Sequence, residues 1–554
     1  MLEPPAVQRQ GRRGEVSVAQ IYERTTTGDV PAVDDDPGVI ALDAALVLPR
    51  RVAWWADREP GRPFLQDVTG RSLTYGQAWG LVLRWATWLT GLGLQRGDRF
   101  VTMIPASADA VLLWLAAGVV EVPVNPDLKG QFLAHVLADS TARLALVRPE
   151  FEDVITAESS GMPVVTIERA DPRPAACEPA APAGFPAVTD HACVIYTSGT
   201  TGPAKGVVLC WAQLTANIGR IPRSWLGGDD AVYCPHPMFH VTGRSPVVVM
   251  VDVGGRVVLR ERFSASAFLS DVRAFGCTST TVQSGLVLAT PEQADDAENP
   301  LRVAYTSHNA ALARRFAARF CVHVIDAYGS TEVGFPLLLR WPPQRGGRWC
   351  GRLRRGYQAR VVDPDGKEAA DGASGELLIR PPSRPLVMLE YLHQPDATAA
   401  AFDGEWYRTG DAVIRHADGE FEFVDRLRDT IRRLGENISA SAVESVVDAD
   451  PEVAECAVLG VPDPIAGHEV LLAVVPLDRA AFDPAALYAR LVSQLPRYAL
   501  PEYVVVCADL PQTPTHKVRK TGLVDLLDLG SAWRPPSRRP RRTDREIPGA
   551  RGRG

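Results

Sequence analysis

The sequence has no run of about 18 apolar residues, and its first residues lack the charged start and short apolar core of a secretory leader. The chain is therefore expected neither to span a membrane nor to be secreted. Ordered cysteine is missing as well. Nine cysteines, an odd number, are scattered from Cys177 to Cys507 with no Cys-x-x-Cys pair, which excludes a regular disulfide framework or zinc knuckle and points to free thiols in a reducing cytoplasm. Nor is there an excess of one charge. Lys and Arg total 59 against 66 Asp and Glu, a net charge of -7 over 554 residues, too small to argue for a nucleic-acid or acidic-membrane partner. Any anion site must be local.

The length allows roughly three to four domain-sized cores, and an apolar fraction of 46% is that of an ordinary globular chain. Residues 1–40 are polar and without period, and are expected to form a flexible arm. Residues 41–425 read as a large α/β domain. Trp79, Val82, Ala86 and Leu89 fall at helical spacing, and strand-like runs at 99–104, 256–259, 280–282, 301–305 and 322–327 alternate with helical stretches such as 108–120 and 311–320. That alternation implies mostly parallel sheets covered on both faces. The Ala- and Pro-rich segment 170–186 reads as a surface excursion. Residues 426–525 read as a small, mobile α/β domain, and 526–554 as a disordered basic tail.

The chemistry begins at Tyr196-Thr197-Ser198-Gly199-Thr200-Thr201-Gly202-Pro203-Ala204-Lys205-Gly206, directly after the apolar run Cys193-Val194-Ile195. Glycines let backbone N–H groups converge on an anion, hydroxyls add donors, and Lys205 adds a positive charge, so the loop is built to grip phosphate. The spacing rejects the P-loop of kinases and ATPases, because Pro203 and Ala204 separate Gly202 from Lys205. Downstream, Tyr328-Gly329-Ser330-Thr331-Glu332 follows a strand, combining an aromatic that can stack on a base, a hydroxyl donor and a hard oxygen ligand for magnesium. Arg408-Thr409-Gly410-Asp411 sets a carboxylate in a turn. Lys517 lies in Gln512-Thr513-Pro514-Thr515-His516-Lys517-Val518. Alone, each short string could be a bland turn or a solvated charge.

Together and in this order, over about residues 40 to 525, the strings resemble the core motifs of the adenylate-forming superfamily, which holds the acyl- and aryl-CoA synthetases, luciferases and peptide-synthetase adenylation domains. The resemblance implies that Thr197, Ser198, Gly199, Thr200, Thr201, Gly202 and Lys205 hold ATP phosphates, with Asp326, Tyr328, Gly329, His308 and Asn309 near the base. It further implies that Thr331 meets the α-phosphate, Glu332 the magnesium ion, Asp411 the ribose and Arg426 the nucleotide. Arg428 falls on the hinge, Gly435 on the loop facing the thiol acceptor, and Lys517 on the catalytic lysine, whose ammonium would neutralise charge at the α-phosphorus. His240, in Met238-Phe239-His240, matches the family's aromatic-His motif beside the acyl pocket. The pocket would be lined by His240, Thr242, Arg244, Gln283, Ser284, Ser307, Gly329, Gly334 and Phe335.

Three departures matter. Adenylation domains for α-amino acids carry Asp where this chain has His240, which argues against that substrate class. Thr306-Ser307-His308-Asn309-Ala310 stands where many relatives have Gly-Gly-Ala-Pro; His308 and Asn309 either bond the base or substrate or reshape the loop. His516 replaces the usual Gly before Lys517. No carrier-attachment string follows Lys517, so the chain is expected to be freestanding. Burying Arg244 and Gln283 along a long alkyl tunnel would be costly, so the expected substrate is a small aromatic or polar acid. The resemblance thus implies a cytoplasmic ligase that uses ATP and Mg2+ to adenylate an acid and passes it to CoA. The alternatives are an amine acceptor, nitrite in place of the carboxylate, or a nucleotide-binding protein without turnover.

Overall fold

The computed structural model describes residues 42–535, apart from 45–46, 117, 181–183, 198–203, 219–224, 283, 307–309, 326, 339–348, 428–429, 434–435, 464–466, 496, 513–517 and 521. The chain forms two compact units that divide between Phe423 and Val424.

Among the described residues the first unit carries three sheets. One runs His323–Ile325, Val303–Thr306, Ser279–Val282, Ala231–Cys234, Arg256–Leu259, Pro63–Asp67 and Ser72–Thr74, parallel except at its last strand. Another runs Glu390–Tyr391, Lys205–Cys210, His191–Thr197, Val120–Pro123, Arg99–Met103, Ala145–Val147 and Val164–Thr166, parallel from His191–Thr197 onward. Both are buried on two faces. Alternate residues of one strand enter different cores: Phe100 packs with Ile195 and Val207, whereas Val101 packs with Val194, Val208 and the helix residues Leu133 and Val136. Such strands read as apolar runs rather than alternations, which is why they were legible.

The third sheet departs from the mostly parallel expectation. Ala327–Ser330, Gly334–Leu338, Trp349–Leu353 and Glu420–Arg426 pair antiparallel in that order, and so do Trp406–Arg415, Ser374–Arg380 and Gln358–Val362. Tight turns such as Ser330 to Gly334 join antiparallel neighbours without a crossover helix, so helix–strand alternation gives no warning of them. One continuous apolar cluster, including Leu65, Ile195, Val207, Tyr328, Leu377 and Val413, fuses all three sheets. The helix Tyr75–Gly91 shows the local logic. A reciprocal Thr74–Gln77 capping box starts it, and Tyr75, Ala78, Val82, Trp85 and Leu89 bury one stripe.

The second unit has its own core, built on Glu436–Ser439, Thr430–Arg433, Gly467–Pro476, Val453–Asp463 and Tyr503–Val506. The expected disordered tail is corrected at its start. Trp533 pairs with Val504 through two backbone bonds of 2.8 and 2.9 Å and packs on Tyr488, while Leu527 and Leu529 cover the sheet. The apolar residues at 527, 529 and 533 have a face to cover, and the basic run begins only at Arg534. The arm 1–40 and residues beyond 535 lie outside the described residues. All nine cysteines are free, and no helix among the described residues is long and apolar enough to cross a membrane.

Arg244, expected in the acyl pocket, is instead wholly enclosed. Its guanidinium reaches Glu121 at 2.7 Å, donates to the Met238 carbonyl at 2.7 Å and lies over Trp114 at 4.5 Å, while Thr102 donates to the other Glu121 oxygen at 2.6 Å. Its charge is matched inside the core, so it no longer argues for a polar substrate. Removing one member of a buried pair strands the other charge. Arg244→Ala is therefore expected to destabilise the first unit by about 3–5 kcal/mol, read as a lower urea midpoint; an unchanged midpoint would show that Glu121 does not depend on this partner.

Candidate active site

The hydroxyl- and glycine-rich loop joins two strands of one hairpin. Thr197 and Lys205 face each other in register, as do Tyr196 and Gly206. Residues 198–203, with Ser198, Gly199, Thr200, Thr201 and Gly202, lie outside the described residues. On the near side His135 bonds the Ala204 carbonyl at 2.9 Å. Gly206 is closely packed: a Cβ there would stand 3.0 Å from both the Tyr196 ring and Val194, so those side chains would have to give way.

Lys205 lies 4.7 Å above the ring of Tyr391, and the hydroxyl of the same tyrosine donates to Glu332 at 3.2 Å. One aromatic therefore spans the lysine of the loop and the acidic residue of the second motif. Gln213 adds a second tie, its amide donating to the carbonyls of Thr331 and Glu332, both at 3.0 Å, and the Met388 N–H donates to Glu332 at 2.7 Å. Neither Tyr391 nor Gln213 was legible as a site residue. Each acts through a contact distant in sequence, and Glu390-Tyr391-Leu392 carries no spacing signal.

Tyr328 and Asp411, 83 residues apart, meet directly: the buried phenol donates to the carboxylate at 2.6 Å. Burial first, and the Asp411 charge next, push the Tyr328 hydroxyl well above its ordinary value, so it remains a donor at neutral pH. Asp411 sits beyond Gly410, whose φ of 70° lies in the left-handed region that glycine adopts freely. The turn after Tyr328 is equally constrained. A Cβ on Gly329 would fall 1.9 Å from the Gly334 carbonyl and 2.7 Å from the Phe335 ring, so Gly329, Gly334 and Phe335 are brought into contact.

His240 caps the helix Val241–Val253, its Nδ1 accepting from the Thr242 N–H at 3.2 Å and meeting the Thr242 hydroxyl at 2.8 Å. A neutral ring held this way carries its proton on Nε2. Gly243 lets the helix start press on the preceding loop, where a Cβ would meet the Pro237 carbonyl at 2.2 Å. Ser284 is buried at the carboxyl end of the parallel strand Ser279–Val282, the end at which α/β sheets bind ligands. Gln283, Ser307, His308, Asn309 and Asp326 lie outside the described residues.

Residues 52–392 match the AMP-binding enzyme family, and residues 442–517 match the AMP-binding enzyme C-terminal domain. The chain belongs to the AMP-binding, adenylate-forming enzymes. It is 34% identical over 513 residues to a sulfoacetate–CoA ligase of Cupriavidus necator, covering 88% of this chain and 99% of that protein. It is 31% identical over 506 residues to an indoleacetate–CoA ligase of Aromatoleum aromaticum, covering 85% and 97%. Among solved structures, ATP-bound MatB from Rhodopseudomonas palustris superposes with a TM-score of 0.80 at 26% identity, covering 87% of this chain and 98% of that one. The amide bond synthetase McbA from Marinactinospora thermotolerans gives 0.75 at 25%, covering 87% and 99%.

The C-terminal match of this AMP-binding enzyme ends on Lys517. That residue, Arg428 and Gly435 lie outside the described residues, but the flanking Gln512 and Val518 pair as an antiparallel bridge. The neighbouring Lys520 is engaged elsewhere, 2.7 Å from Glu444. Arg426 is exposed in the second unit, its N–H donating to Asp425 at 2.8 Å. The closest packing in the first unit yields a test. Gly329→Ala must force the turn apart, with an expected cost of about 1–3 kcal/mol and a changed near-UV circular dichroism over an unaltered far-UV spectrum; a variant as stable as the parent would refute the steric constraint.

Proposed function

We propose that the chain is an AMP-forming acid–CoA ligase. The observation that carries this reading is the double engagement of Tyr391, whose ring meets Lys205 and whose hydroxyl meets Glu332, while Tyr328, of the same motif as Glu332, bonds Asp411 from 83 residues away. A lysine, a carboxylate, and an aromatic–carboxylate pair are what a nucleoside triphosphate requires: charge for its phosphates, a hard oxygen for its metal, a stacking face for its base and an acceptor for its ribose.

In the proposed reaction the substrate carboxylate attacks the α-phosphorus of ATP, forming one C–O–P link as the bond to pyrophosphate breaks. The acyl group then carries AMP rather than hydroxide as its leaving group, and the CoA thiol displaces it. Lys205 would hold the phosphates, Asp411 the ribose hydroxyls and Tyr328 the adenine; Lys517 would stabilise the charge that develops at the α-phosphorus. Among the described residues no cluster of three or more His, Cys, Asp or Glu side chains could hold a metal by itself. Glu332 together with phosphate oxygens nevertheless fits Mg2+, which commonly takes one or two carboxylates plus substrate phosphates. Bound there, the ion would supply positive charge to the phosphate oxygens.

The relatives named above act on acids as different as sulfoacetate and indoleacetate, so family membership leaves the acid open. The likeness to an amide bond synthetase supports one second reading, in which an amine replaces CoA. The deciding experiment measures pyrophosphate release with ATP and magnesium over a panel of aromatic, short and long aliphatic acids and nitrite, with CoA or an amine. Acid-dependent release stimulated by CoA is expected; release indifferent to CoA would move the assignment to amide synthesis, and release with nitrite alone to diazotisation. Lys517→Ala is expected to lower ATP–pyrophosphate exchange by about 100-fold or more. An unchanged rate would remove Lys517 from the reaction, and a parent protein with no exchange above background would be a nucleotide binder without turnover. Tyr328→Phe, which removes the donor to Asp411 but keeps the ring, is expected to raise the KM for ATP about 5- to 10-fold; an unaltered KM would detach this pair from the nucleotide.

A further inference from the structure

Among the buried donors without a partner in the described residues of the first unit, two are neighbours. The Tyr305 hydroxyl and the Trp225 indole N–H are both enclosed and unbonded, and the two rings meet edge to face at 6.4 Å. A buried polar group left unpaired is costly, and native proteins satisfy nearly all of them. Indole can only donate, and burial pushes the Tyr305 phenol up, so it too stays protonated. Both groups therefore need an acceptor.

Their position says which. Tyr305 stands one residue before the end of the parallel strand Val303–Thr306, in register with Thr281 and Ile325. Thr281 precedes Ser284 by three residues and Ile325 precedes Gly329 by four, so the ring lies at the carboxyl ends of three adjacent strands. The Arg354 charge is felt by the Tyr305 phenol, and the same guanidinium donates to the Phe335 carbonyl at 3.4 Å. Arg354 thus connects the surroundings of the Tyr305 phenol to Phe335, one of the residues that the family resemblance puts in the acyl pocket. The unpaired indole groups of Trp114 and Trp211 are different, because those rings stack on each other in the core with Arg244 over Trp114.

We infer that Tyr305 and Trp225 are specificity-determining residues for an acid whose acyl part carries an oxygen acceptor, such as a carbonyl, ether or phenolic oxygen, away from the reacting carboxyl. This rests on the acid-activating reading of the site. The Tyr305 and Trp225 rings, set edge to face, supply apolar surface, and their two unpaired donors supply polar points on it. An acid of the same shape with a methyl in place of the oxygen leaves both donors unpaired, the situation in which enzymes discriminate most strongly.

The test uses the full chain with ATP, magnesium and matched acids: 4-methoxybenzoate against 4-ethylbenzoate, and 4-oxopentanoate against 4-methylpentanoate, read as pyrophosphate release. The oxygen-bearing member of at least one pair is expected to win by about 10-fold or more in kcat/KM. Tyr305→Phe and Trp225→Phe, which remove the donors and keep an aromatic ring at each position, should each bring that ratio towards unity while leaving the KM for ATP unchanged. Equal use of both members by the parent protein, or a preference that survives both substitutions, overturns the inference while leaving acid activation standing. Release with none of these acids, nor with any acid of the wider panel, overturns acid activation and the inference with it.

Discussion

The contact on which the candidate site depends is the one made by Tyr391. Lys205 opens a strand of one sheet and Glu332 lies in a turn of another, so nothing in either sheet fixes the distance between them. Tyr391 does so from both ends, with its ring against the lysine and its hydroxyl on the carboxylate. It is itself held by pairing with Val207 on the lysine's own strand, and Met388, three residues earlier, binds the Glu332 carbonyl. Gln213 repeats the tie from the chain that follows that strand. Two opposite charges are thereby set in place before any ligand arrives, which is the arrangement that makes electrostatic stabilisation effective.

Close approach is the second constraint, and it explains where the motif glycines fall. Gly206, Gly243 and Gly329 sit where a single added carbon would strike a tyrosine ring, a carbonyl on the preceding loop, or the next strand's backbone. None of these three has a left-handed backbone; what sets them apart is the space a side chain would need. The charged residues divide differently. Arg244 and Glu121 neutralise each other within the core, so their ionic character serves packing, whereas Lys205 and Glu332 are joined through Tyr391, and under the proposed function their charges serve a ligand.

This contrast shows what the sequence could and could not disclose. Several parallel strands were legible because burial on both faces makes them uninterrupted apolar runs, and the strand 256–259 was placed at its observed bounds, whereas Ala145–Val147 and Ala231–Cys234 were not read as strands. The antiparallel sheet was not, since a strand such as Trp406–Arg415 mixes buried and half-buried residues without clean alternation. Asp411 and Tyr328 were legible singly through their motifs, but their hydrogen bond spans 83 residues and has no local trace. Arg244 misled because the family resemblance put it in the pocket, while its partner Glu121 lies 123 residues away. Tyr391 and Gln213 escaped notice for the same reason: their role is defined by what they touch, and tertiary contact is the level at which pattern reading ends.

The division into two units bears on how charge is handled during the proposed reaction. Lys205, Glu332 and Asp411 belong to the unit that ends at Phe423, and Lys517 to the one that begins at Val424. Each unit closes its own apolar core, the second around Val458, Leu472 and Val504, so neither needs the other's side chains to complete its interior. The cation assigned to the α-phosphorus is therefore carried by a body whose fold is independent of the phosphate grip. Under the proposed function, the phosphate grip and the lysine are thus carried by separately folded cores, and no apolar cluster among the described residues joins the packing of one to the packing of the other.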